Sequence, residues 1–147
     1  MNSSEIGVNK FIEGYNCAQS VLFSLSEYTD LSEDFSLKVA TGFGGGMGRT
    51  QHVCGAVSGG ILALNLLYGR GLSDGKDKQD DVYIKVRELI KKFETENDTI
   101  ICKELLDGCS LLTDEGRERY RSKGMNKKCH SYIASVIEIV KEIIETN

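Results

Sequence analysis

The 147-residue chain is 40% apolar and 27% charged, the composition of one globular domain that can bury roughly 70% of its unfolded surface. Its formal charge of -4 offers no basic patch for DNA or RNA, no stretch has the ~20 apolar residues of a membrane span, and the start lacks the basic and apolar regions of a signal peptide. A cytoplasmic protein is therefore expected, and its five cysteines are expected to be catalytic, redox-sensing or metal-binding thiols, because a reducing compartment disfavours structural disulfides.

No proline interrupts the chain, so helices are expected throughout. From Ser4 to about Glu27, the residues Val8, Phe11, Ile12, Tyr15, Ala18, Leu22 and Leu25 recur at helical spacing; one long first helix capped by Ser3 or Ser4 is predicted. Ser32 ahead of Glu33 and Asp34 starts a short helix that runs through Val39 and stops near Gly42. After a glycine-rich stretch, Cys54 to Tyr68 is apolar all round, so this helix is expected at the centre of the fold.

Gly69 and Gly71 end that helix. The polar "SDGKDKQDD" reads as a loop leading into an amphipathic helix that carries Val82, Val86, Leu89, Ile90 and Phe93. Asn97 or Asp98 can cap a further helix from Thr99 to about Leu112, with Cys102 and Cys109 on one face ~10 Å apart, too far for a disulfide of ~7 Å maximum Cα separation. Thr113 begins a short charged helix that Gly124 closes, and Asn126 to about Glu145 forms the last, with Cys129, Tyr132, Ile133, Val136, Val140, Ile143 and Ile144 in one stripe. No segment alternates as a strand would. The predicted fold is an all-α, single-domain bundle of about five to seven helices.

The stretch "GFGGGMGRTQHVCGAVSGG" (42–60) is the richest in chemistry. It is not a phosphate loop: Phe43 stands where the first glycine of such a motif belongs, Arg49 replaces the lysine, and no strand precedes it. It ends where a helix begins on Cys54. The unpaired N–H groups and positive dipole end of a helix stabilise a thiolate, and Arg49 and His52 would add positive potential, so the Cys54 pKa is expected below the ~8.5 of a free cysteine. Gly44, Gly45, Gly46 and His52 are the residues expected against a cofactor.

No C-x-x-C pair occurs, so the fold must bring the thiols together. Cys54, Cys102 and Cys129 all sit on apolar faces and are expected to converge. Cys17 lies roughly 140° from the centre of the first stripe, at 100° per residue.

Taken in order, Cys17, the run Cys54-Gly55-Ala56-Val57-Ser58-Gly59, Cys102 and Cys129 resemble the C_GCAxxG_C_C family of redox proteins, over nearly the whole chain. "GYNCAQSVL", "CKELL" and "KKCHSYIASV" take part in the likeness. The resemblance implies redox activity by these thiols, in an oxidoreductase or electron carrier with a redox partner that it does not name; Cys109 is then the extra cysteine. Two chemistries follow from it: thiol–disulfide exchange with Cys54 as the attacking thiolate, or an iron–sulfur cluster or zinc held by Cys17, Cys54, Cys102 and Cys129. Exposed parts of the apolar stripes on the first and last helices could form a homodimer.

Overall fold

The structure is a computed structural model and describes residues 1–146. Its helices are α1 (Ser3–Ile12), α2 (Cys17–Ser24), α3 (Ser26–Thr29), α4 (Glu33–Ala40), α5 (Gly44–Met47), α6 (Gly55–Tyr68), α7 (Lys76–Asn97), α8 (Cys102–Leu105), α9 (Asp114–Ser122) and α10 (Asn126–Glu145). The all-α expectation holds: among the described residues the only β pairing is an isolated antiparallel bridge between Val53 and Ile101. None of these helices is long and apolar enough to cross a membrane.

Helix α6 is the hub, as its all-round apolar sequence requires. It packs against α2 on one side and α7 and α10 on others, while α1 closes over α2 and α10. Val57, Ala63 and Leu64 of α6 are fully buried with Val21 and Leu22 of α2, Leu89 and Phe93 of α7, and Ile133, Val136 and Val140 of α10. Close approach on this hub depends on an absent side chain. A Cβ on Gly59 would stand 2.7 Å from the carbonyl oxygen of Ala18, so α2 can lie against α6 only because that atom is missing.

Four sequence expectations need correction. The predicted first helix breaks in two, because Gly14 adopts φ +111° and Asn16 caps a new start: its side chain accepts from the Gln19 N–H while the Gln19 side chain accepts from the Asn16 N–H. The cap of α1 is Asn2, not Ser3 or Ser4. The helix predicted over 99–112 shrinks to the single turn of α8, since Asp107 and Gly108 both take positive φ (55° and 81°) and turn the chain. Finally, α7 starts at Lys76, inside the segment read as loop, because its charges ride the solvated face of a helix. The short helix capped by Ser32 and the last two helices fall where the sequence puts them.

Candidate functional site

The break in the first helix decides where Cys17 goes. Asn16 caps α2, so Cys17 occupies its first position, beside the start of α6, where a Cβ on Gly55 would lie 3.3 Å from the Cys17 Cβ. Cys54 immediately precedes α6 and is 4% exposed. Cys102 opens α8 and Cys129 lies in the first turn of α10, both buried.

The Cys54 and Cys102 segments are clasped backbone to backbone. The Cys54 N–H donates to Ile100 O at 2.7 Å, and the Cys102 N–H donates to His52 O at 2.7 Å, around the Val53–Ile101 bridge. Cys102, Cys109 and Cys129 share a small cluster with Leu106 and Met125, and Cys17 packs against both this cluster and the main core. The expected convergence of Cys54, Cys102 and Cys129 is therefore what the fold produces, with Cys17 added: the charge of Cys17 would be opposed by those of Cys129, Cys54 and Cys102.

These surroundings sort the thiols. Burial outweighs the N–H groups of Ala56 and Val57 at Cys54 and pushes its pKa up from 9.0 to about 12. The expectation of a low-pKa thiolate at Cys54 is thus corrected: the helix start does pull it down, but desolvation wins. Cys102 rises to about 11, chiefly by burial, with a hydrogen bond involving the Gln51 side chain working against it. Cys17 is raised by its hydrogen bond to Cys129 and by burial. Cys129 alone is lowered, because the Cys17 thiol donates to it and the Tyr120 hydroxyl donates to its sulfur at 3.3 Å.

The cluster opens on a cleft of about 630 Å³ whose walls include Cys17, Cys102 and Cys129. Gly44 and Gly45 also line it. Gly46 lies beneath, where a Cβ would be 2.8 Å from the Cys102 Cβ. His52 is exposed and lies off the cleft wall, serving the site through its backbone: its carbonyl accepts from the Cys102 N–H and its N–H donates to Gly46 O at 3.0 Å. Cys109 is not on a helix with Cys102, so that spacing argument lapses; its thiol donates to Gly116 O at 3.0 Å. His130 meets Phe11 edge to face at 5.5 Å.

Two residues escape the sequence reading. Gln51 is 4% exposed and holds the 109–111 segment: its amide donates to Cys109 O at 2.7 Å and accepts from the Leu111 N–H at 2.9 Å. Tyr120 belongs to a helix that looks wholly solvated in sequence, yet its hydroxyl reaches Cys129. Neither carries a motif; Gln51 acts on residues 58 and 60 positions away and Tyr120 across the turn into the next helix.

Four thiols are the donor set of an iron–sulfur cluster or zinc. As they stand, no group of three or more His, Cys, Asp or Glu side chains among the described residues is placed to hold a metal ion.

Comparison with known proteins agrees with the cysteine pattern. An uncharacterized protein of Archaeoglobus fulgidus is 29% identical over 134 residues, covering 86% of this chain and 83% of the relative. No solved structure matches. The profile of the family described as "Putative redox-active protein (C_GCAxxG_C_C)" matches residues 15–143, which include the four cysteines at 17, 54, 102 and 129. The chain belongs to the C_GCAxxG_C_C family of redox-active proteins.

Proposed function

We propose that the protein exchanges thiols and disulfides through Cys129 and Cys17. The observation that carries this reading is the Cys17–Cys129–Tyr120 arrangement: one thiol held towards its ionised form by two donors, with the donor thiol beside it, both on the wall of one cleft. The Cys129 thiolate attacks one sulfur of a substrate disulfide, the S–S bond breaks, and the leaving thiolate takes up a proton. Cys17 then loses its proton and attacks the Cys129 sulfur of the mixed disulfide. A Cys17–Cys129 disulfide forms and the second substrate thiol departs. Two electrons have passed from the protein to the substrate. Cys102 beside this pair and Cys54 off the cleft wall have raised pKa values and stay neutral thiols.

The test is a single turnover. Fully reduced protein is mixed with the neutral disulfide 2-hydroxyethyl disulfide, quenched by alkylation and mapped by mass spectrometry. The expected product is a Cys17–Cys129 bridge, and Cys129→Ser forms neither bridge nor mixed disulfide at Cys17. First reaction at Cys54, or stoichiometric iron or zinc in protein purified without oxygen, would overturn the exchange reading.

A further inference from the structure

The cleft in front of the thiols has a charge opposite to that of the chain. Three arginines line it, Arg49, Arg117 and Arg121, and among the described lining residues there is no Asp or Glu, although the whole chain carries -4. Arg117 and Arg121 are four apart on α9 and face the cleft on either side of Tyr120. Both pair with carboxylates outside it, Arg117 with Asp114 and Arg121 with Glu118 at 2.9 Å, and Arg117 also donates to Leu111 O on the cleft wall at 2.8 Å. Those carboxylates offset part of the charge without entering the cleft.

Arg49 differs from the other two. No carboxylate is paired with it among the described residues, and its stem packs over Gly45, where a Cβ would meet the Arg49 Cγ at 3.0 Å. It also sits at φ +70°, in a loop that uses glycine for the same left-handed backbone at positions 45, 46 and 48.

We infer that the substrate of this cleft is a small anionic disulfide, bearing carboxylates that Arg49, Arg117 and Arg121 receive while its sulfur–sulfur bond lies against Cys129. This rests on the exchange reading above and names its substrate class. The guanidinium fork binds a carboxylate through two N–H groups, and a cleft lined by one sign of charge raises the encounter rate of the opposite sign. The volume, about 630 Å³, suits a small molecule rather than a protein surface. The reaction balances as written for the neutral probe: R–S–S–R′ and two protein thiols give RSH, R′SH and the Cys17–Cys129 disulfide. An external small thiol or dithiol then returns the protein to its reduced form.

Three disulfides of similar size test it: dithiodipropionate, an anion; 2-hydroxyethyl disulfide, neutral; and cystamine, a cation. Single-turnover rates are measured with reduced protein at low salt, each divided by the rate of free mercaptoethanol with the same disulfide to remove intrinsic reactivity. The expected order is anion, neutral, cation, with at least about tenfold between the extremes, narrowing as salt is raised. Arg49→Gln and, separately, Arg121→Gln should lower the ratio of the dithiodipropionate rate to the 2-hydroxyethyl disulfide rate several-fold. Normalised rates that agree within twofold for all three, or a preference for cystamine, overturn the substrate assignment while leaving thiol exchange intact. Failure to react with any of them overturns the exchange reading, and the assignment falls with it. An anion preference unchanged by either arginine variant also overturns the assignment.

Discussion

The aliphatic core and the sulfur-rich cluster beside it are held together by different means. In the first, α2, α6, α7 and α10 press fully buried side chains such as Leu22, Leu64, Phe93 and Val136 into one another, so each contact has several neighbours to share its loss. In the second, four of the five buried members carry sulfur, and they are positioned by caps, a backbone clasp and left-handed residues at 46, 51, 107 and 108. Packing supplies stability in one region. In the other, irregular backbone sets where thiols stand relative to a cleft, which is where strained conformations are commonly found.

If the division is real, truncating the hub should hurt stability most and chemistry least. Leu64→Ala removes a fully buried side chain and should cost about 3 kcal/mol in urea unfolding, with Cys129 reactivity at neutral pH unchanged. A reactivity loss in a folded Leu64→Ala protein would show that the two regions are one.

The thiols also leave a mark on stability, with a sign that separates them. Cys54 and Cys102 are raised above 9.0, so the stability they lend is complete below pH 9 and is lost as pH climbs through about 11 and 12. Tyr132, raised to about 12, acts in the same direction at higher pH. Cys129 is lowered, so its contribution is present above 9.0 and is lost as pH falls through its folded value. Against Cys54→Ala, the native protein should lose about 2 kcal/mol more between pH 8 and pH 11, measured by urea unfolding at each pH. Equal alkaline limbs would mean that Cys54 is not a desolvated thiol.

The smallest effect sharpens the comparison most. Tyr120→Phe removes one donor from the Cys129 sulfur, so the Cys129 pKa should rise and its iodoacetamide alkylation at pH 7 should slow by about threefold, with little change in stability. An unchanged pH profile would assign the low pKa to Cys17 alone.

What the sequence could disclose follows the same division. The core was legible, because α6 is apolar all round and apolar residues recur at helical spacing along α7 and α10, while Ser32 and Thr113 declare the caps of α4 and α9. The cysteine set was legible as a pattern, and the fold does gather Cys17, Cys54, Cys102 and Cys129. Their ranking was not. A helix start is visible in sequence, but the desolvation that reverses its effect at Cys54 is a property of the packed interior. The break at Gly14 lay hidden because Tyr15 and Ala18 keep helical spacing across it, although Asn16 and Gln19 carry a capping box. Gln51 and Tyr120 act on residues 58 and nine positions away in the chain, beyond any local rule.

The clasp at Val53 and Ile101 gives the site a built-in reporter. The amides of Cys54 and Cys102 are each tied to the other's segment, so neither can exchange its hydrogen with solvent unless the two segments part together. Deuterium uptake at these two amides should therefore rise and fall in step, and should count the openings of the thiol cluster without any reagent touching a sulfur.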